Sequence, residues 1–417
     1  MLTMQVNRHV FANGLRLLHY QDAATKLVTV NTMYDVGSKD EHPDHTGFAH
    51  LFEHLMFAGS AHVSDFDRVV QEASGEDNAW TGNDVTDYYI TVPSYNLETA
   101  LWVESDRMLA LDINRESLRV QKQVVREEFK QRFLNQPYGD ASLLLRRLAY
   151  GSHPYAWPTI GKSEEHIKQF RLKDVRAFYA AHYAPDNAVI AVCGDVSFAQ
   201  AVDLVGKWFG DIPARDVPAR QMPAWAPQTH PRRLQVRRDV PVEAVYKLWR
   251  APSFNQEGYP ACDLLTDVLA GGRSSRLTRH LVREEHLFND LDIYVGGEGE
   301  VGAGTIQFSG KPAEGVSFEA AEAGLQRELD RLAANPVTEE ELLKVKNKYA
   351  SAFLFKNTNC QHIATQLCWY EILSEAGRYM ADFDRTMAVT AEEIRQQASE
   401  VFREENCSTL CYVPLAK

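Results

Sequence analysis

The chain has 417 residues, of which 45% are apolar and 24% charged, as is typical of a folded globular protein with two or more domains. It contains no low-complexity tract and no apolar run long enough to cross a bilayer. The formal net charge of -13 argues against nucleic acid as a partner, because phosphate binding requires clustered Lys and Arg. We therefore expect no nucleic acid and no membrane among its partners.

The cysteines predict a reducing compartment. Six are scattered along the chain, and none forms the CxxC spacing of a zinc knuckle or a redox pair. The N-terminal stretch lacks an apolar segment behind a basic flank, which is the pattern of a secretory signal. We expect a cytoplasmic protein, or a periplasmic one if a signal peptide has been removed.

The first elements predicted along the chain are two strands joined by a short turn, in NGLRLLHYQDAATKLVTVNTMYDVGS. A helical segment follows at positions 47 to 60, GFAHLFEHLMFAGS. Its apolar residues Phe48, Leu51, Leu55 and Met56 recur at helical spacing and predict one buried side.

Two histidines and a glutamate lie within this apolar helix, in HLFEH. Because residues four apart share one face of a helix, His50 and His54 can bind a single zinc ion. Glu53 is predicted to lie beside that ion, as a general base for water at the metal. The order inverts the zincin motif HExxH. The alternative is a structural helix with two hydrogen-bonded histidines and a surface glutamate.

A third protein ligand is expected, because a catalytic zinc site usually has three, with the fourth position left to water. The candidates are Glu127 and Glu128 in VVREEFKQRF, after a helical run from Leu118. Only one of them can face the ion, and the local pattern does not choose between them. A glutamate pair on a helix is also typical of a solvated face.

The chain shows an internal duplication on either side of a proline-rich segment. The segment LKDVRAFYAAHYAPDNAVIAVCG from Leu172 aligns with AEEIRQQASEVFREENCSTLCYV from Ala391, each predicted as a helix, a turn and a strand. The segment RRLQVRRDVPVEAVYKLWRAPS likewise repeats the N-terminal pair of strands. The alternative is chance similarity between amphipathic helices.

The duplication predicts an α+β fold of two duplicated domains, each a mainly antiparallel sheet with helices packed on one side. The prolines between Pro213 and Pro231 indicate an extended linker. The predicted organisation is a zinc-binding peptidase domain at 1–212, a linker at 213–231 and a homologous domain at 232–417.

The motifs together resemble the pitrilysin-type zinc peptidases, the inverted-motif family that includes mitochondrial processing peptidase and insulin-degrading enzyme. The likeness is to bacterial relatives of the processing peptidase beta subunit. It is carried by HLFEH, VVREEF, NAWTGNDVTDYYITVP, the repeated VIAVCGDV and GGRSSRLTRHLVREE. The resemblance implies a zinc metalloendopeptidase with one zinc ion per chain, bound by His50, His54 and Glu128, with Glu53 as the base.

The resemblance also implies a peptide-binding strand close to the zinc. The residues matching this strand are Asn78, Ala79, Trp80 and Thr81, where a substrate would add as an extra β-strand. The alternative is an ordinary buried strand. Family members commonly carry an acidic residue seven positions before the third ligand, and here that position is Gln121.

The family's carbonyl-binding pair is incomplete in this chain. Its arginine matches Arg283, but the tyrosine seven residues on is replaced by Asp290. An ionised aspartate cannot donate a hydrogen bond and would repel an oxyanion. We therefore expect the zinc-bearing subunit of a heterodimer, with a homologous subunit supplying the Arg/Tyr pair. The alternatives are a homodimeric peptidase that does not need the tyrosine, and a non-catalytic structural or binding subunit. Tyr294 lies nearby in the sequence and is a candidate substitute for the tyrosine.

Overall fold

The computed structural model describes residues 4–220, 222–296 and 302–415, and the chain forms two compact units. Each unit contains one β-sheet. The boundary at Met222 lies within the predicted linker, which forms neither helix nor strand over 213–220 and 222–231. Unit 1 comprises Met1–Lys130, Trp157–Met222 and Leu354–Ala381; unit 2 comprises Gln131–Ala156, Pro223–Phe353 and Asp382–Lys417.

Unit 1 is built on a six-stranded sheet in the order β1-β2-β6-β3-β5-β4. The pair β2/β6 is parallel, and the other pairs are antiparallel. Within the described residues β4 pairs with β5 and with no other strand, so it forms an edge of the sheet. The strands are β1 (Asn7–Val10), β2 (Arg16–Gln21), β3 (Leu27–Tyr34), β4 (Glu76–Thr81), β5 (Thr86–Pro93) and β6 (Ala188–Gly194).

Helices cover both faces of this sheet. The helices of unit 1 are α1 (Phe48–Leu55), α2 (Phe66–Glu72), α3 (Leu97–Ala110), α4 (Arg115–Phe129), α6 (Glu164–Lys168), α7 (Leu172–His182), α8 (Phe198–Phe209) and α12 (Cys360–Leu373). The side chain of Asn31 accepts a hydrogen bond from Thr365 of α12, whereas its neighbour Thr32 lies opposite Tyr88, whose ring contacts Arg107 of α3 at 4.6 Å. Neighbouring residues of a strand point to opposite faces, so α12 and α3 lie on opposite sides of the sheet.

Unit 2 is built on a five-stranded sheet in the order β7-β11-β8-β10-β9. Its parallel pair is β7/β11, and the other pairs are antiparallel. The strands are β7 (Arg232–Arg238), β8 (Ala244–Arg250), β9 (Phe288–Val295), β10 (Thr305–Pro312) and β11 (Cys407–Pro414). Its helices are α5 (Ala141–Tyr150), α9 (Tyr259–Ala270), α10 (Phe318–Ala334) and α14 (Ala391–Val401). Two further helices, α11 (Glu339–Lys356) and α13 (Arg378–Ala388), each have residues in both units.

The two units repeat one topology, which confirms the predicted α+β fold of duplicated domains. The order β2-β6-β3-β5-β4 corresponds strand by strand to β7-β11-β8-β10-β9, with the parallel pair at the same place. The aligned asparagines also make equivalent hydrogen bonds. Asn187 donates its amide to the carbonyl of His182 at 2.8 Å, and Asn406 donates to that of Val401 at 2.8 Å, each at the end of the repeated helix.

The compact units are not contiguous in sequence. The predicted split at 213–231 separates the strands of the two sheets, but each unit also takes one helix from the other half of the sequence. Helix α12 packs on β3 and β6 of unit 1, and α5 packs on β8 and β11 of unit 2. In unit 1, α12 covers the face of the sheet opposite to α3, so the helices of this unit are not confined to one side of the sheet, contrary to the prediction.

Candidate metal centre

Helix α1 carries the inverted motif and is short, with eight residues. Its apolar side is buried as predicted, and Phe48 and Phe52 each stack on Phe178 of α7 with ring centroids 5.5 Å apart. The helix begins after Gly47, whose φ of +104° suits glycine. A Cβ atom at that position would lie 2.7 Å from the carbonyl oxygen of Ile160, so a larger residue would displace the start of the helix.

The structure brings His50, His54 and Glu128 together. One nitrogen of each histidine ring and a carboxylate oxygen of Glu128 all lie within 4.8 Å of one another. The Nε2 atoms of His50 and His54 are 3.5 Å and 3.4 Å from Oε2 of Glu128. His50 is buried, and the side chains of His54 and Glu128 are 24% and 28% exposed. The cluster therefore lies at the surface of a packed region, open on one side.

Helix α4 selects between the two neighbouring glutamates. It packs against α1 and directs Glu128 toward the histidines. Glu127 lies about 100° further round the helix, where its side chain is 56% exposed and pairs with Lys130 at 2.8 Å. Gln121 lies two turns before Glu128 on α4 and is partly buried.

The three donors fit a zinc ion. Zinc bonds to histidine nitrogen and carboxylate oxygen at about 2.0–2.1 Å in a tetrahedral arrangement, so two ligand atoms are about 3.3 Å apart. The observed separations of 3.4 Å and 3.5 Å between ring nitrogen and carboxylate are close to that value. Two imidazoles and one carboxylate are also a ligand set typical of catalytic zinc.

Glu53 lies next to this cluster on α1 and is tied to the edge strand. The hydroxyl of Thr81, the last residue of β4, donates a hydrogen bond of 2.5 Å to Oε2 of Glu53. Both side chains are partly buried. A hydrogen bond from a hydroxyl to a carboxylate orients the carboxylate.

The predicted substrate strand is the edge strand β4. Its residues alternate between exposed and partly buried from Glu76 to Ala79, and Trp80 and Thr81 are partly buried, whereas every residue of β6 is buried. Asn78 is exposed, and its side-chain oxygen accepts from the backbone N–H of Ala79 at 2.8 Å.

A buried carboxyl group behind β4 was not predicted from the sequence. Asp87 of β5 lies opposite Trp80, and the side chain of Asn31 donates a hydrogen bond to it at 2.6 Å. Burial raises the pKa of Asp87 to about 7. Trp80 also packs on Trp369 of α12, with centroids 5.7 Å apart. The signal available in DVTDYYITVP is an acidic residue inside a run of strand formers.

Arg283 and Asp290 belong to unit 2, whereas the residues described above belong to unit 1. Arg283 is exposed at the end of a π-helical turn, Thr278–Glu284. Asp290 is exposed on β9, the edge strand of the second sheet. Tyr294 lies four residues further on the same face of β9, and its hydroxyl is 3.3 Å from the side-chain oxygen of Gln307.

Comparison with known families is consistent with this architecture. Residues 16–155 match the family model described as Insulinase (Peptidase family M16), and residues 169–349 match the one described as Peptidase M16 inactive domain. The chain belongs to the pitrilysin-type M16 peptidase family. In agreement with the second description, residues 169–349 of this M16 chain contain no second HxxEH motif.

Bacterial relatives share nearly the whole length of this M16 chain. It is 27% identical over 409 residues to the zinc protease PqqE of Helicobacter pylori, covering 96% of this chain and 91% of that protein. It is 24% identical over 407 residues to a Bacillus subtilis protein named uncharacterized zinc protease YmxG, covering 96% of each. Both relatives are named as zinc proteases.

Solved structures share the fold. The crystal structure of a protease from Helicobacter pylori has a TM-score of 0.93 at 26% identity, covering 99% of this chain and all of that one. A structure of the peptidase M16 inactive domain from Pseudomonas fluorescens has a TM-score of 0.86 at 19% identity, and this likeness shows the fold alone. Among the helices that the structure describes, none has the length and apolar character to cross a membrane.

Proposed function

We propose that this M16 chain is a zinc-dependent endopeptidase that cleaves peptides or unfolded segments. The observation that carries the proposal is the convergence of His50, His54 and Glu128 at distances suited to zinc, with Glu53 beside them on α1. A zinc ion held there would supply a Lewis acid for the scissile carbonyl and make the attacking water more acidic.

The residues around the ion have distinct roles. Glu53 accepts the proton of the attacking water and returns a proton to the leaving amine. Thr81 holds the Glu53 carboxylate in one orientation through its 2.5 Å hydrogen bond. Because Thr81 is the last residue of β4, this bond fixes the position of Glu53 relative to the strand along which a peptide would lie.

The substrate is proposed to bind along β4. An edge strand offers unpaired main-chain groups to an extended peptide, and this pairing reads the backbone rather than the side chains. The C-terminal part of β4 consists of Asn78, Ala79, Trp80 and Thr81, and its last residue, Thr81, donates a hydrogen bond to Glu53. An extended or unfolded segment is therefore the chemical class of substrate that fits.

Metal content and a single substitution test the proposal. Purified protein is expected to retain about one zinc ion per chain, and Glu53→Gln is expected to keep the zinc while its turnover of a quenched peptide falls about 100-fold or more. Glu127→Gln is the matched control, because Glu127 points away from the histidines. Protein without zinc affinity would refute the proposal and favour a non-catalytic subunit. Normal turnover by Glu53→Gln would also refute it, because the cleavage would then not depend on this site.

A homologous partner subunit is proposed to complete the site. Asp290 stands where the family resemblance requires a tyrosine, and an ionised carboxylate would oppose a developing oxyanion. We expect the chain alone to cleave peptides weakly, and a homologous chain with the Arg/Tyr pair but without HxxEH to raise the rate on mixing. Full activity of the chain alone would exclude the heterodimer.

A homodimeric peptidase is the second candidate. The observation that favours it is the position of Tyr294 near Asp290. Its hydroxyl lies on the same face of β9 as Asp290. If Tyr294 replaces the missing tyrosine, the chain alone is active and Tyr294→Phe reduces kcat. If Tyr294 does not replace the missing tyrosine, Tyr294→Phe leaves unchanged the activity of this chain mixed with the homologous Arg/Tyr subunit.

The cytoplasmic location stays a prediction. None of the cysteines, all of which lie in the described part of the chain, forms a disulfide, and all but Cys360 are buried. Cell fractionation tests this expectation directly.

A further inference from the structure

Glu41 is a buried carboxylate directed at the start of the helix that carries the zinc motif. It is 5% exposed. Its Oε2 atom accepts from the backbone N–H of Gly47 at 2.8 Å, and its Oε1 atom accepts from that of Ala49 at 2.9 Å. The indole N–H of Trp157 also donates to Oε2, at 3.2 Å. Three donors therefore meet one carboxylate immediately before His50.

Helix α1 depends on this residue because its own N-cap has no side chain. The first N–H groups of a helix lack partners within the helix, and an N-cap Ser, Thr, Asp or Asn usually satisfies one of them. Asp65 of α2, Asn114 of α4 and Ser197 of α8 do so in this chain. The N-cap of α1 is Gly47, which the close approach of the Ile160 carbonyl requires. Its cap therefore comes from a residue six positions upstream.

Glu41 is itself anchored to the hairpin that contains β4. It follows the 3-10 turn Ser38–Asp40, whose backbone N–H groups at Ser38 and Lys39 donate to the carbonyls of Gly82 and Asn83. Lys39 is buried and pairs with Asp84 at 2.9 Å. The turn between β4 and β5 thus holds the turn that places Glu41.

Burial and hydrogen bonding act on Glu41 in opposite directions. Burial raises the pKa of Glu41 to about 8, and the bonds from Ala49, Gly47 and Trp157 limit the rise. The indole of Trp157 also donates to the carbonyl of Ser38 at 2.9 Å. The three donors define a site shaped for two acceptor oxygens.

We propose that Glu41 is a positioning residue of the metal centre, which fixes the first turn of α1 and thereby the place of His50 among the zinc ligands. Two contacts then fix the position of helix α1 relative to the β4–β5 hairpin. One is made by Glu41 at the start of the helix, and the other is the Thr81–Glu53 hydrogen bond near its end. The inference rests on the proposed zinc site, and it adds a residue that neither binds the ion nor touches the substrate.

Glu41→Gln is the test, because it keeps the size of the side chain and replaces one acceptor by a donor that must face a backbone or indole N–H. Zinc affinity is measured by competition with a chromogenic chelator, and the geometry of the site by the absorption spectrum of the cobalt-substituted protein. We expect zinc affinity to fall about 10- to 100-fold, the usual range for residues that orient ligands, and the cobalt bands to shift.

Ser197→Ala is the matched control, because it removes an ordinary helix cap in the same unit, on α8, which packs on α3 and β2. It is expected to lower the unfolding midpoint while zinc affinity and the cobalt spectrum stay at wild-type values. Glu41→Asp, which keeps the carboxyl group but is one methylene shorter, is expected to give an intermediate loss of affinity and decides the question if Glu41→Gln does not fold.

The outcomes separate the two proposals. Wild-type protein that binds no zinc removes the proposed function and with it this inference. Wild-type protein that binds zinc, together with a Glu41 variant of unchanged affinity and cobalt spectrum, overturns the positioning role alone. A loss of affinity as large in Ser197→Ala as in Glu41→Gln would also overturn it, because the effect would then be general destabilisation.

Discussion

Replacing Thr81 by valine tests the link between the edge strand and the base. The substitution keeps the shape of the side chain and removes the hydroxyl that donates to Glu53 at 2.5 Å. A hydrogen bond to a charged group contributes about 1.5–3 kcal/mol. If the whole bond serves to orient Glu53 in the transition state, kcat falls about 10- to 100-fold, since about 1.4 kcal/mol corresponds to a factor of ten.

The assay is steady-state cleavage of a quenched peptide, with zinc content measured on the same samples. KM is expected to change little, because strand pairing uses the backbone of β4, which the substitution leaves in place. Thr81→Ser keeps the hydroxyl and is expected to retain most of the activity. A kcat for Thr81→Val within twofold of wild type would refute the reasoning, as would equal losses in the serine and valine variants.

Three further substitutions address the metal, the buried carboxyl group and the core of unit 1. Glu128→Gln is expected to lower zinc affinity by at least about tenfold in chelator competition, because it removes the charged ligand, and unchanged affinity would exclude Glu128 from the site. Burial raises the pKa of Asp87 to about 7, so wild-type unfolding free energy should fall by up to about 4 kcal/mol as pH rises from about 4 to about 7, at about 1.4 kcal/mol per pKa unit. Asp87→Asn should lack this part of the pH dependence in urea titrations, and parallel pH profiles for the two proteins would contradict the assignment. Arg107→Met leaves the buried Glu104 without its cation and should cost about 3–5 kcal/mol, whereas adding Glu104→Leu should recover part of the loss.

Helix α1 and its candidate zinc-binding motif could be predicted from the local sequence, because the motif HLFEH spans only about one and a half turns of helix. The spacing of His50 and His54 places both rings on one face, and the apolar residues around them predict which side is buried. The duplication was equally visible, since Asn187 and Asn406 occupy matching places after matching helices. The first feature depends on periodicity within a short segment, and the second depends on comparing two segments of the same sequence. Neither requires knowledge of the tertiary structure.

The choice of a third ligand for the proposed zinc site illustrates where this reasoning ends. Glu127 and Glu128 are neighbours with the same chemistry, and the packing of α4 on α1 determines which of them faces the histidines. The compact units likewise depart from a simple division at the linker, because α5 and α12 pack on the sheet of the other half. Which sheet face a helix covers depends on contacts between residues hundreds of positions apart, such as Thr365 and Asn31.

Local pattern was thus sufficient for the secondary elements, the family and the pair of histidines, because helical and strand periodicities are properties of neighbouring residues. The contacts of Glu41, Thr81 and Asp87 carry no such pattern, since each depends on a partner brought close by the fold. A carboxylate becomes a helix cap, an oriented base or a buried acid according to which N–H and O–H groups surround it. Those surroundings exist only once the sheet and its helices have packed.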